Sequence, residues 1–202
     1  MIKDEKAFVN FKVHTQYSIC EGAIKIEDLA DYCKTNKIKA IGLSDSFNLC
    51  GALEFSEAIS KVGTQPIIGS QINVSYSDII GKLPIFSKTK LGYSNLTKLS
   101  SKSYLDIKAN ERPHCSINDL FKNKSDLIVL SGGMDSLFSN LLSKNKNKEI
   151  EEITKKLKDN FSDSFYFEIQ RHGDFGEKKL ENLYINLSQK YKIPLIASQE
   201  VF

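Results

Sequence analysis

His14, Glu21, Asp45, His172 and Glu200 are the residues of this chain whose types and positions suggest chemistry. They are imidazoles and carboxylates near the ends of hydrophobic runs, the donor set that divalent cations take. The first two stand in FKVHTQYSICEGA (11–23), where an alternating run ends in a histidine, a polar turn and an acid before a glycine. A two-histidine clamp would put its other imidazole at position 12, and Lys12 stands there instead. A protonated ammonium cannot ligate a cation and repels one. The chain has only three histidines, His14, His114 and His172, so a multinuclear zinc or manganese centre built mainly from imidazoles would use the whole supply. Each residue also has a plainer reading. A histidine at a strand end is commonly a hydrogen-bonded structural residue, and Asp45 can cap a turn. Ser131-Gly132-Gly133 can be a glycine turn after a buried strand or a set of amides facing a phosphate. His114, beside Pro113 in a loop, is expected to be exposed and inert.

The elements that must position these residues alternate. FVNFKVH (8–14) reads as a strand, and a helix over 26–36 follows, with Glu27 and Asp28 in its first turn and Ile26, Leu29 and Cys33 on one face. AIGLSD (40–45) is a short strand, and 51–62 a helix ended by Gly63. PIIGSQINV (66–74) and KLPIFSK (82–88) are strands, 92–104 is a helix, and Ser116 or Asn118 caps a short one. DLIVLSGG (126–133) is a buried strand, 149–160 a helix, FYFEIQRHG (165–173) a strand, 177–191 an amphipathic helix and IPLIAS (193–198) a last strand. Repeated strand–helix units predict an α/β fold with a mainly parallel sheet, open or closed into a barrel. The polar residues at the strand ends, His14, Asp45, Gln71, Ser131, His172 and Glu200, would then share the C-terminal rim where such folds build sites.

Composition narrows the class. At 202 residues, 41% hydrophobic and 26% charged, the chain suits one soluble globular domain. A net charge of +3 does not by itself argue for nucleic acid, and runs such as KNKNK (144–148) read as solvated loops. Four widely spaced cysteines (Cys20, Cys33, Cys50, Cys115), no CxxC pair, no secretory signal and no membrane-length apolar run point to reduced, buried thiols in a cytoplasm.

Taken in order, FVNFKVHTQYSICEGA, AIGLSDSFNLCGALEF, QPIIGSQINV, GYSNLTKLSSKSY, DLIVLSGG, FYFEIQRHG and IPLIASQEVF resemble the N-terminal polymerase-and-histidinol-phosphatase (PHP) domain of bacterial DNA polymerase III alpha subunits, over nearly the whole chain. The resemblance implies a distorted (β/α)7 barrel with a metal cluster on its rim. It also implies that residues 1–202 are one domain of a larger subunit, ending before the barrel is complete. Metal-binding relatives carry His-x-His on the first strand, an acid before the first glycine, Thr-Asp-His, Gly-x-Glu, a later histidine or cysteine, and a final Asp-x-His. Here Lys12 replaces the first histidine, His14 remains, and the acid is Glu21. Asp45 remains, Ser46 replaces the next histidine, and Gln71 replaces the glutamate. Gly133 stands at a cysteine position, His172 remains, and Glu200 and Phe202 take the last two places.

The resemblance therefore implies a domain without catalytic residues or metal of its own, in which Lys12 pairs with carboxylates such as Glu21, Asp45 or Glu200. It would serve a structural role and dock the epsilon proofreading exonuclease. The remaining alpha-subunit domains would bring replisome, DNA and the magnesium of nucleotidyl transfer. The alternative is a residual zinc- or manganese-dependent 3′–5′ exonuclease or phosphoesterase, with one ion held by His14, Glu21, His172 and Glu200, and Cys20 in reserve. A free-standing histidinol-phosphatase-like enzyme fits the alpha-type motifs less well. Neither reading involves a membrane.

Overall fold

A computed structural model describes residues 8–108 and 110–202, so residues 1–7 and 109 of the expected 1–202 domain lie outside the described part. The first half runs β1 (Lys12–Val13), α1 (Ile26–Thr35), β2 (Ala40–Ser46), α2 (Ala52–Lys61), β3 (Gln65–Tyr76), β4 (Ile79–Ser87) and α3 (Lys90–Leu105). It continues through β5 (Cys115–Ser116), α4 (Ile117–Lys122), β6 (Leu127–Leu130), α5 (Leu137–Ser143) and α6 (Asn147–Phe161). The last elements are β7 (Phe165–Ile169), α7 (Glu177–Tyr191), β8 (Leu195–Ala197) and β9 (Glu200–Val201).

The strands form one curled, open sheet in the order β8-β7-β6-β4-β3-β2-β1-β9, with β5 beside β3. The expectation of a mainly parallel sheet needs one correction. Strand β4 runs antiparallel to both β3 and β6, while the other pairings are parallel. The cause is a two-residue turn, Ser77-Asp78, that folds β4 straight back on β3 with Tyr76 opposite Ile79, and no helix intervenes. The first strand is also shorter than the expected 8–14. The last expected strand, 193–198, is observed as β8 beside β7, and a further short strand, β9, follows it beside β1.

The sheet's two faces differ as a period of two requires. On β3, Ile72 and Val74 are buried among apolar side chains, and on β7 Phe165 and Phe167 are too. The alternate positions carry Gln71 and Asn73 on β3 and Glu168 and Gln170 in and just past β7. The helices cover the apolar face. Helices α1 and α2 close a cluster of Val13, Ile26, Leu43, Phe55 and Ile59. A larger cluster joins β3, β4, β6 and β7 to α3–α7, centred on Phe138 against Phe165, Phe167 and Tyr184. Helix α5, absent from the sequence expectations, lies against β4 because Gly81 has no side chain there. A Cβ at Gly81 would overlap the backbone of Ser136 and Leu137.

Candidate functional site

The polar residues on the uncovered face converge near β1. Lys12 is fully buried, with Nζ 3.1 Å from Glu200 Oε2 and 3.4 Å from Glu168 Oε1. Burial by itself would lower the Lys12 pKa, and the charges of Glu168 and then Glu200 outweigh it, so the ammonium form is favoured. Burial likewise works against the Glu200 carboxylate. The His14 hydrogen bond and the Lys12 charge more than offset that, and its pKa lies well below the usual carboxylate range. Glu168 Oε1 also accepts from Gln170 Nε2 (2.7 Å) and from the Ser198 hydroxyl, while Oε2, equally buried, has no protein partner.

His14 sits one step along on the same face, its ring stacked on Phe202 at 4.4 Å between centroids. Its Nδ1 is 3.1 Å from Ser18 Oγ and donates to it, because the hydroxyl proton is committed to Asp45 Oδ1 (2.7 Å). Its Nε2 lies 2.8 Å from both Glu200 Oε1 and Gln71 Nε2, and Gln71 Nε2 also donates to Glu200 Oε1. Gln71 Oε1 is buried without a partner.

The remaining expected residues take other roles. Asp45 does not reach Lys12. It accepts from the Thr15 amide (2.6 Å), the Thr15 hydroxyl (2.8 Å) and Ser18, and so pins the loop between β1 and α1. Glu21 does not reach Lys12 either. It accepts from the Ser46 hydroxyl, lies 4.0 Å from His14 Nδ1 and pairs with Lys82 at 3.6 Å. Lys82 is held at 2.7 Å by Asp135 and lies over the Phe47 ring, on the wall of a cleft of about 510 Å³ that Asn73 and Arg112 also line. His172 stands three residues past the end of β7, exposed, with Nδ1 3.2 Å from Gln199 Nε2 and its amide on Glu177. It is thus not brought to His14. Gly133 faces Gln170, whose Oε1 occupies the place a Cβ would need.

Cys20 and Cys50 are exposed, against the expectation of four buried thiols; both sit in loops beyond strand ends, whereas Cys33 and Cys115 are buried. His114 is half-buried rather than exposed, with Nδ1 on the Arg112 carbonyl at 2.8 Å. Among the described residues no group of three or more His, Cys, Asp or Glu side chains is arranged to hold a metal ion, and no helix is long and apolar enough to cross a membrane.

Glu168, Gln170, Ser18 and Lys82 were not singled out by the sequence reading. For Glu168 and Gln170 the signal lay in FYFEIQ, where polar residues take every second place of an otherwise apolar strand. A carboxylate there must meet a cation inside the fold.

Comparison with known proteins gives the chain its relatives. A PHP domain family model matches residues 10–172. The chain is 34% identical over 195 residues to the DNA polymerase III subunit alpha of Rickettsia felis, covering 96% of this chain and 16% of that protein. It is 33% identical over 205 residues to the subunit of Caulobacter vibrioides, covering 98% and 18%. The chain therefore spans about a sixth of the length of the curated relatives it matches. Among solved structures, a candidate metal-dependent phosphoesterase of Bifidobacterium adolescentis superposes with a TM-score of 0.60 at 11% identity, covering 94% of this chain and 86% of that one. An amidohydrolase of Chromobacterium violaceum, solved with sulfate and no metal, gives 0.58 at 9% identity, covering 96% and 87%. At these identities the likeness is one of fold.

Proposed function

The chain belongs to the PHP domain family and matches the N-terminal region of DNA polymerase III alpha subunits, and from that premise we propose that it is a metal-free, catalytically silent PHP domain of a replicative DNA polymerase. Its role is to stabilise the subunit and to dock the separate 3′–5′ proofreading exonuclease, epsilon. The polymerase chemistry, with its magnesium, belongs to the rest of the subunit, which works in the cytoplasm on DNA within the replisome.

One observation carries the metal-free reading: the Lys12 ammonium lies between Glu168 and Glu200, 3.1 Å from the latter, which is itself bonded to His14. The two groups best suited to ligate a cation are thus already compensated by a buried positive charge. A divalent ion bound there would face that ammonium at short range, where Coulomb repulsion in a dry interior is strong. The donor set does not fit a metal cluster, and no catalytic step is routed through one.

Elemental analysis of the purified chain tests this, with zinc and manganese expected far below one equivalent. Stoichiometric metal would overturn it. The docking role follows from the kinship with alpha subunits and is tested separately by binding of the cognate epsilon subunit to this chain and to the full alpha subunit. Absence of binding to both would remove it. A manganese-dependent nuclease activity lost on His14→Ala would instead favour the one-ion alternative built on His14, Glu21, His172 and Glu200.

A further inference from the structure

The hydrogen-bond ladder of the sheet leaves one gap. Strand β8 ends it on the β7 side and β9 ends it on the β1 side, although the two are separated by only Ser198 and Gln199. The backbone changes partners within those residues. The Ser198 amide still donates to the Ile169 carbonyl (3.1 Å), whereas the Val201 carbonyl accepts from the His14 amide (2.9 Å). The gap lies between β8 and β9, which do not pair with each other among the described residues, whereas β7 has β6 and β8 as neighbours and β1 has β2 and β9.

Side chains cross at the same place as the backbone. Lys12 projects from β1 and reaches Glu168 on β7 and Glu200 on β9, so one ammonium touches a carboxylate on each lip. Glu168 is tied back to its own lip by Gln170 Nε2 and to the crossing segment by the Ser198 hydroxyl. Its second oxygen has no partner, which leaves this buried carboxylate dependent on Lys12 for compensation. Gln170 is in turn lodged over Gly133, three residues past the end of β6.

We propose that Lys12 and Glu168 form an ionic clasp that ties β1 to β7 across the segment carrying β8 into β9 and so holds the two edges of the sheet together at this seam, with Gln170 and Ser198 as residues that position Glu168. This goes beyond the metal-free reading, on which it rests in one respect: Lys12 rather than a cation must occupy the centre. The clasp assigns Glu168 a role and makes the seam the weakest line of the sheet once the charge is removed.

Amide hydrogen exchange of this chain, followed residue by residue, tests the clasp. In Lys12→Met the amides of His14 and Ser198, which donate across the two sides of the handover, are expected to exchange faster by on the order of tenfold or more relative to helix α6 amides such as those of Ile153 and Leu157. Glu168→Gln keeps the side chain's shape and its capacity to bond Ser198 and Gln170, and it is expected to show the same local pattern even if Lys12→Met fails to fold. Protection at His14 and Ser198 unchanged relative to α6 in Glu168→Gln would overturn the proposal, as would a uniform acceleration over the whole chain. Metal content measured on the same samples separates this result from the metal-free reading: metal in the unsubstituted chain would defeat that reading, whereas unchanged seam protection in metal-free protein defeats only the clasp.

Discussion

Removing the Lys12 ammonium leaves the buried Glu168 without its cation and Glu200 with only its bonds to His14 and Gln71. Breaking a buried pair in this way costs about 3–5 kcal/mol, because the surviving charges lose compensation but not their desolvation. Lys12→Met is therefore expected to lower the unfolding free energy by about that amount in urea. A loss under about 1 kcal/mol would place this pair with ordinary surface ion pairs. Thiol chemistry gives a second expectation. Burial, with the Asp119 charge adding to it, pushes the Cys115 thiol up to about 12, and burial raises that of Cys33 as well. Both stay protonated and covered at pH 8, whereas Cys20 and Cys50 are open. Ellman's reagent should titrate two thiols quickly in the native chain and four in denaturant. Four fast native thiols would contradict the packing around Cys115. At this scale the sequence disclosed the residues that stand in a motif, and of these Lys12, His14, Gln71 and Glu200 lie in contact on one face. It did not disclose Glu168, because a single carboxylate in an apolar strand carries no spacing pattern, and its partner, Lys12, lies at the other end of the chain. Glu21 and Asp45 were legible as residues but not as partners, since which acid reaches Lys12 depends on strand order.

Helices were the most legible elements, and the reason is periodicity. The apolar spacings in 26–36, 149–160 and 177–191 each survive as α1, α6 and α7 with end shifts of a few residues. Of the two caps the sequence offered, Ser116 and Asn118, it is Ser116 that starts the helix, in a capping box completed by Asp119. The β3–β4 hairpin was not, because Ser-Asp lacks the Asn-Gly or Asp-Gly signal of a two-residue turn, and Ser77 adopts its left-handed φ of 56° regardless. Helix α5 was missed because seven residues are too few for a periodic signal. Its contact with β4 yields a prediction at this scale. Gly81→Ala forces a methyl into the backbone of the α5 N-terminus, an overpacking expected to cost about 1–3 kcal/mol in a urea titration. Full retention of stability would mean that α5 can move away from the sheet without loss.

For the molecule as a whole, the alternation of strands and helices announced an α/β fold, and the curled sheet with helices on its apolar face bears that out. The strand order could not be read along the chain, since β1 finds β9 and β6 finds β4 through contacts that no local pattern encodes. Stability of the larger half rests on one aromatic cluster. Phe138 touches Phe165, Phe167 and Tyr184 and joins α5 to β7 and α7. Phe138→Ala is expected to cost about 3–5 kcal/mol and to lower the thermal midpoint, readable by circular dichroism. A change below about 1 kcal/mol would show that the cluster repacks around the vacancy.

The pairing of β1 with β9 has a further consequence during synthesis. Lys12 and Glu200 are separated by 188 positions in the chain. At translation rates of about 5–20 residues per second, Lys12 waits roughly 10–40 s after leaving the peptidyl-transferase centre before Glu200 is even polymerised. Through that interval β1 can pair only with β2, its other edge is open, and a lysine destined for the interior remains hydrated. The nascent domain therefore passes through a long-lived state in which β1 has only one of its two neighbours.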